Sequence, residues 1–466
     1  MSNGRGRFLK HVLYFLFDTL SLGLALFASI GIYNAFSIQQ TNCGEHFLAL
    51  SLIVVGIPLG HLALGLYETK IRESIRGVVR RIAISMALII ATASIIHTTF
   101  SDGELPVVFM SLVLGITTIL HATWRYWGIF HGGLQFSKRK ILVLGSGERA
   151  AFITRRMRRE SDRKHFELLG FIPLTESVSN EVGDNETLIQ LADEGSIDEQ
   201  LNNLAPDVIV MAHDKDELAP MGALLNCKMR GVDVIEMEDF IEVELGQIAV
   251  ERMQPEWLLF SNGFRFNRFG FEALSNIINL VLAFMLVAVS WPLMLGAVIA
   301  IYFDDGRKTK ASVFYKQRRV GLNGRHYEIL KFRSMGKDAE KDGAQWAQKN
   351  DMRVTRVGRI LRKYRIDELP QLINVLRGDM NFVGPRPERP EFVEELSNDI
   401  PFYDYRHSVK PGLTGWALLK YPYGASVNDS LEKLKFDLYY IKHRSILLDF
   451  FILIRTVEVV LFGRGR

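Results

Sequence analysis

What most limits how this chain can fold is a set of apolar runs near residues 9–33, 47–67, 79–98 and 106–127, followed much later by a fifth at 273–303. Each approaches or exceeds the ~20 residues that a helix needs to cross a bilayer. The first is too long for a plain secretory leader and lacks a small-residue cleavage site. Lys and Arg in short loops stay on the cytoplasmic side, so loop charge sets orientation. Arg5, Arg7 and Lys10 precede or open the first run. Lys70, Arg72, Arg76, Arg80 and Arg81 follow the second, and Arg125, Lys138, Arg139 and Lys140 follow the fourth. Residues 34–45 and 99–105 hold no Lys or Arg. The alternation predicts a four-helix transmembrane bundle over 1–130 with both ends in the cytoplasm. Tyr67, Trp124 and Trp127 suit its interfaces. His61, His97 and His121 read as packed or interfacial side chains. No intramembrane charge pair that would mark a transporter path stands out, and the bundle reads as an anchor.

Composition agrees with membrane helices joined to soluble domains. A length of 466 residues allows two or three domains; 48% hydrophobic residues is high for a soluble protein, and 23% charged residues is too many for a membrane bundle alone. The net charge is only +4, and the basic residues gather beside apolar runs and around one acidic pair. That pattern suits a membrane surface and phosphorylated small molecules better than nucleic acid. Cys43 and Cys227 form neither a disulfide framework nor a metal-ligand spacing, so the soluble part is expected in the cytoplasm.

Residues 138–262 read as a Rossmann-like α/β domain. Strand-like runs at 140–144, 166–172, 207–211 and 232–236 alternate with helical patterns at 148–159 and 221–230. Gly145-Ser-Gly147-Glu-Arg-Ala150 follows a strand and opens a helix, as a dinucleotide fingerprint does. The acid that should end the next strand is missing: Pro173 follows Ile172, and Glu176 is the nearest candidate. A purely structural module is therefore favoured over a nucleotide-binding one.

The fifth run is preceded by an interfacial-looking segment rich in Phe and Arg, with Arg265 and Arg268, and followed by Arg307, Lys308, Lys310, Lys316, Arg318 and Arg319. Both flanks want the cytoplasm. Pro292 near the centre would bend the helix, and Ser290 could bond a carbonyl that the bend frees. A helix–break–helix that enters and leaves by the same leaflet fits better than a straight span.

Residues 304–466 carry the chemistry. Ile366-Asp-Glu-Leu-Pro-Gln-Leu-Ile-Asn-Val-Leu-Arg-Gly-Asp-Met380 opens with two carboxylates, Asp367 and Glu368, continues with Leu369, Leu372, Ile373 and Leu376 at helical spacing, and ends at Gly378. Pro370 is tolerated only in a first turn, so a helix is expected to start at or just after Asp367, with both acids in its positive N-terminal field. Arg353, Arg356, Arg359, Arg362, Lys363 and Arg365 lie upstream; Arg377, Arg386 and Arg389 lie downstream. Lys331 and Arg333 share a strand face by period-2 spacing, and both could reach a pyrophosphate. The loop at 379–387 would hold Arg386 at a fixed angle, and that at 410–416 would add a polar and aromatic lining. An ordinary helix cap with ion pairs would show the same acids, but the number of converging basic residues argues for phosphate chemistry.

Lys331-Phe-Arg-Ser-Met335, Asp367-Glu-Leu-Pro-Gln371, Gly378-Asp-Met380 and Gly384-Pro-Arg-Pro387 occur in the order of the motifs of the bacterial sugar transferases, and 264–466 resembles this family of monotopic phosphoglycosyl transferases. The N-terminal spans and Rossmann-like module resemble the family's large members, and the whole is similar to undecaprenyl-phosphate glucose or galactose phosphotransferases of exopolysaccharide and O-antigen assembly. Two departures are plain: Trp291-Pro292 stands where the family has Ser-Pro, and 304–312 replaces a Gly-Pro stretch. The resemblance implies a bacterial inner-membrane enzyme with its catalytic domain on the cytoplasmic face. It would transfer a hexose 1-phosphate from a UDP-sugar to undecaprenyl phosphate and release UMP. Asp367 would be the nucleophile that forms a phosphosugar–aspartate, Glu368 would ligate Mg²⁺, and Lys331, Arg333, Arg362, Asp379 and Arg386 would bind substrate. Membrane lipids and a second copy of the chain are further expected partners; nucleic acid is not. A membrane-anchored nucleotide-binding scaffold without catalysis is the alternative. The terminal run at 445–462 carries Asp449, Arg455 and Glu458, so it is expected to be interfacial or packed rather than spanning.

Overall fold

A computed structural model describes residues 2–36, 47–63, 107–130, 138–157, 166–174, 197–214, 218–253, 269–337, 351–421 and 426–461, with scattered positions between them. The chain forms two compact units, Met1–Phe240 and Ile241–Arg466.

The first unit begins with helices α1 (Ser2–Phe36), α2 (Phe47–Ala63) and α3 (Val107–Phe130), with α1 packed against both others. Tyr14–Ala35 is long and apolar enough to cross a membrane; Val108–Trp124 and Arg81–Ser94 are shorter apolar helices. The loops at 37–46, 67–78 and 95–106, on which much of the charge argument rests, lie outside the described residues, as do Cys43, Tyr67 and His97. A buried polar pair sits among these helices: the Asp18 carboxylate lies 2.9 Å from His61 Nδ1, and both residues are fully buried. Asp18 is the lone acid of its run, and its partner is 43 residues away, so neither announces the other in the sequence.

The middle of the chain is a parallel sheet of β1 (Arg139–Leu144), β2 (Phe166–Ile172), β3 (Val208–Met211) and β4 (Asp233–Glu236) in the order β2-β1-β3-β4. Helices α4 (Glu148–Arg156), α5 (Ile197–Leu204) and α6 (Met221–Met229) connect the strands. The strand positions match the sequence pattern because Ile141, Leu142 and Val143 form a continuous apolar run with no exposed face, as in a sheet covered on both sides. Gly145 is required after β1: its φ is +115°, and a Cβ there would lie 2.4 Å from the carbonyl oxygen of Ala212. At the N-terminus of α4, where a dinucleotide phosphate would bind, the backbone N–H of Glu148 donates to Asp214 Oδ2 at 3.0 Å. A carboxylate of the chain itself thus holds one of the donors that a phosphate would use. Helix α7 (Met237–Leu245) closes this part of the chain.

The second unit is built on α8 (Phe269–Ile301), whose apolar stretch Gly270–Asp304 is long enough to cross a membrane and is mostly uncovered by the rest of the protein. Phe284, Val289 and Trp291 all stand exposed. Helical structure continues on both sides of Pro292, and the Ser290 hydroxyl lies 3.7 Å from Met294 Sδ, which corrects the bond to a freed carbonyl expected there. Proline removes one main-chain bond, and the ladder on either side keeps the segment helical.

Beyond α8 come the antiparallel hairpin β5 (Phe314–Val320) and β6 (His326–Phe332), then α9 (Arg356–Lys363) and α10 (Gln371–Arg377). Two short strands, β7 (Asn381–Val383) and β8 (Gly412–Thr414), pair in parallel. Helices α11 (Pro390–Asp399), α12 (Trp416–Lys420), α13 (Val427–His443) and α14 (Ile446–Leu461) complete the unit. Its core joins Leu372, Val375, Phe382, Leu438 and Ile452 to Ile248 and Val250 from the segment after α7. Helix α14 is packed, with Ile452 fully buried and Asp449 accepting the Tyr440 hydroxyl at 2.7 Å. Trp416 lines no polar loop. It is buried and donates its indole N–H to the carbonyl of Gly246 at 2.8 Å, which corrects the aromatic lining expected at 410–416.

Candidate active site

Local chemistry places the two carboxylates. Thr355 caps α9 by accepting the N–H of Gly358 at 2.9 Å, and Asp304, just past α8, accepts the N–H of Val357 at 3.2 Å. These are two of the donors that a helix start leaves unpaired, so the end of the apolar helix is tied to the start of the Arg-rich one. After Lys363 the chain turns through Arg365, held in the left-handed region at φ 57°, into a single 3₁₀ turn, Ile366–Glu368. Pro370 then serves as the N-cap of α10, and Gly378, at φ 81°, ends it as its position in the sequence predicts. The expected helix start at Asp367 is therefore corrected. The α-helix starts at Gln371 and is only seven residues long, and both acids precede it. The positive field that they feel comes from side chains more than from a helix end.

Asn374 sets the distance between the acids and the hairpin. It is fully buried; its Oδ1 accepts the N–H of Leu330 at 2.9 Å, and its Nδ2 donates to the carbonyl of Glu328 at 2.8 Å and to Asp379 Oδ2 at 3.1 Å. This clasp ties α10 to β6 beside Lys331. Glu368 Oε1 then meets three cations: Arg386 Nη2 at 3.0 Å, Lys331 Nζ at 3.5 Å and Arg365 Nη1 at 3.8 Å. Asp367 is buried, and among the described residues its Oδ1 has no hydrogen-bond partner.

The two neighbours titrate in opposite directions. Burial and the adjacent Glu368 charge raise the Asp367 pKa above the usual 3.8, against the pull of Lys331, Arg362 and Arg365. Burial would also raise Glu368, but Arg386, Lys331 and Arg365 outweigh it and hold that carboxyl well below its usual range. Burial pushes the Lys331 ammonium down, with Glu368 opposing. One carboxylate is thus locked as an anion, and the other keeps an unengaged, more basic oxygen. That combination suits a metal or phosphate anchor beside a nucleophile.

The remaining expected site residues divide. Arg362 acts on Asp367 by its charge. Asp379 is bonded by Asn374, and Arg333 is buried with its Nε on the carbonyl of Ser312 at 2.8 Å, bracing the loop after α8. Arg333 lies one residue past the end of β6, so strand periodicity does not carry it to the face of Lys331. Three positioning residues were not singled out from sequence. Besides Asn374, Arg319 donates to the carbonyl of Pro387 at 3.0 Å, and Arg406 donates to the carbonyl of Arg386 at 3.0 Å while paired with buried Asp437 at 2.8 Å. Together they hold the loop that presents Arg386. Arg319 and Arg406 stand among other polar residues with no periodic cue; an Asn inside the apolar run at 371–376 was the one available signal.

The profile of the family described as bacterial sugar transferase matches residues 271–463. The chain is 39% identical over 245 residues to the UDP-N-acetylgalactosamine-undecaprenyl-phosphate N-acetylgalactosaminephosphotransferase of Aeromonas hydrophila, covering 52% of this chain and 55% of that protein. It is 32% identical over 335 residues to the undecaprenyl-phosphate glucose phosphotransferase of Komagataeibacter xylinus, covering 70% of this chain and 60% of that one. A shorter relative, the UDP-glucose:undecaprenyl-phosphate glucose-1-phosphate transferase of Caulobacter vibrioides, is 40% identical over 187 residues, which are 40% of this chain and 68% of the relative. The matches thus span little more than half of the first two relatives. The profile and the Caulobacter alignment, together with the dyad and its basic shell, establish that the chain belongs to the bacterial sugar transferase family.

Proposed function

We propose that this chain transfers a hexose or N-acetylhexosamine 1-phosphate from a UDP-sugar to undecaprenyl phosphate. The reading rests on one observation above all: buried Asp367 with a free carboxylate oxygen, next to a Glu368 clamped by three cations. Asp367 attacks the β-phosphorus of the nucleotide sugar. The bond from that phosphorus to the bridging oxygen breaks, and UMP leaves with the electron pair. A phosphosugar–aspartate remains, which divides one displacement into two. An oxygen of undecaprenyl phosphate then attacks the same phosphorus and releases the Asp367 carboxylate. Lys331 and Arg386, both at Glu368, and Arg362 lie where the pyrophosphate charge would gather. Arg333 and Asp379 act one step back, through the loops that they brace.

Two carboxylates with hard oxygen donors fit Mg²⁺. The three cations all approach Glu368 through Oε1, which leaves Oε2 for an ion, with Asp367 beside it. Bound there, Mg²⁺ would neutralise phosphate oxygens. The exposed apolar length of α8, the Pro292 within it and the basic residues on both of its flanks support a helix that bends at the proline and enters and leaves by the cytoplasmic leaflet of the inner membrane, with the acids at headgroup depth. The lipid tail then never leaves the bilayer. The test is direct: in membranes supplied with a panel of UDP-sugars, the wild-type chain releases UMP, and Asp367→Asn abolishes that release. Normal turnover by the variant would sink the reading.

A further inference from the structure

The buried polar cluster of the N-terminal helices plays no part in the transfer. Asp18 on α1, His61 on α2 and His121 on α3 are each fully buried, and one ligand atom from each lies within 4.8 Å of the others. An acid in so apolar a setting is costly and is retained only where it is held by specific partners. The arrangement of the partners is informative. His121 Nε2 lies 3.1 Å from the backbone carbonyl of Asp18. A carbonyl only accepts, so Nε2 carries the proton, and in the neutral ring the lone pair sits on Nδ1. That Nδ1 faces Asp18 Oδ1 at 3.8 Å. On the other side, Asp18 Oδ2 lies 2.9 Å from His61 Nδ1. The indole N–H of Trp124 donates to Asp18 Oδ1 at 3.2 Å.

A separation of 3.8 Å is too long for an N–H···O bond, which spans about 2.7–3.2 Å. It is also too short to seat a water comfortably between two hydrogen-bonding atoms. Two ligand atoms that each lie about 2.0–2.2 Å from one tetrahedral metal ion are about 3.3–3.5 Å apart. The separations found here, 2.9 Å to Asp18 Oδ2 and 3.8 Å to Asp18 Oδ1 within a set that spans no more than 4.8 Å, enclose that value. The outer contacts also have the form that metal sites use. A ligating histidine commonly donates its second ring N–H to a carbonyl, and a ligating carboxylate is itself hydrogen-bonded. Here the Asp18 carbonyl and the Trp124 indole take those parts.

We propose that Asp18, His61 and His121 form a binding site for one divalent transition-metal ion of the zinc class, which pins α1, α2 and α3 together at one level. Neutral imidazoles and a carboxylate are the donor set for such an ion, whereas Mg²⁺ prefers all-oxygen sites. The site is separate from the Asp367–Glu368 pair in both sequence and chemistry, and it stands whether or not that pair transfers sugar phosphate.

The test uses the full chain, purified in detergent and stripped of metal, then titrated with Zn²⁺ or with Co²⁺ as a visible-absorption probe. Wild type and Glu368→Gln should each take up one equivalent, and Co²⁺ should show the bands of a low-coordinate site with nitrogen ligands. His61→Gln and His121→Gln should lose that equivalent and the bands. Trp124→Phe should keep the stoichiometry with about 10–100-fold weaker affinity, as outer-shell changes do. Folding of each variant is followed by its melting curve. Should the histidine variants fail to fold, the metal-stripped wild type decides alone: no uptake of either ion overturns the proposal. Uptake that survives in the folded His61→Gln/His121→Gln chain carrying Glu368→Gln, which removes the acidic pair as a second site, also overturns it and leaves Asp18–His61 as a hydrogen-bonded clasp.

Discussion

Asp367 and Glu368 share a peptide bond, yet their surroundings give them different work. Asp367 is raised by burial and by its neighbour's charge, so the anion that the proposed transfer uses as nucleophile is lost on acidification at a pH above the ordinary 3.8. UMP release should therefore fall on an acid limb higher than that of a solvated aspartate. Glu368→Gln removes one raising charge and leaves Lys331, Arg362 and Arg365 acting on Asp367. The acid limb of that variant should move to lower pH even as its rate drops, and a pH series of initial rates reads both effects. A limb that stays in place would mean that Glu368 does not act on Asp367 electrostatically. Glu368 is the opposite case. Its carboxyl is depressed below 4.5, so its ion pairs support the fold above that value and are lost only in stronger acid, as pH falls through the depressed pKa. Arg386 makes the shortest of those pairs but is partly exposed, which weakens it. Arg386→Ala should raise KM for the UDP-sugar on the order of tenfold, about 1.4 kcal/mol, with melting temperature little changed.

At the scale of elements, a reading of local sequence reached the strands of the middle sheet, the stop at Gly378 and the packed nature of α14. In each the signal lies within a few residues: a continuous apolar run, a glycine after the last periodic residue, or charges scattered through an apolar stretch. The start of α10 was not legible in the same way. Pro370 fits either a first turn or a cap, and the choice was made by Arg365 turning the chain ahead of the acids. Asn374 was also hidden, because its partners Glu328, Leu330 and Asp379 lie on other elements. Asn374→Ala would leave a buried main-chain donor and acceptor unpaired. It should cost about 2–4 kcal/mol by chemical denaturation and lower turnover through displacement of Lys331. A variant of full stability would show that water replaces the amide. For α8, a helix that returns to its own leaflet predicts that single cysteines at Phe269→Cys and Thr309→Cys react with an impermeant maleimide from the same face of the membrane. Labelling from opposite faces would make it an ordinary span.

For the whole molecule, the division of the chain matters more than its motifs. Composition and motifs put the end of the middle domain near residue 262, ahead of the second apolar region. Contacts show that the compact second unit already begins at Ile241. The short stretch after that point is woven into the core: Ile248, Val250 and Met253 are buried there, Gly246 accepts the Trp416 indole, and Glu242 pairs with Lys442 at 2.7 Å. Nothing local marks this, since the stretch looks like a connector and its partners come some 170–200 residues later. A chain that starts at residue 241 keeps every one of these contacts and retains the site, whereas one that starts at 264 loses three buried apolar side chains and uncovers the buried Lys442. Removing large core side chains costs about 2–5 kcal/mol each, so the shorter truncation product should exceed what a marginally stable unit can lose. Expressed in membranes, 241–466 should fold and release UMP from a UDP-sugar, while 264–466 should aggregate or be degraded. Equal stability of the two would show that residues 241–253 are peripheral. An inactive but folded 241–466 would show instead that the N-terminal unit takes part in the transfer.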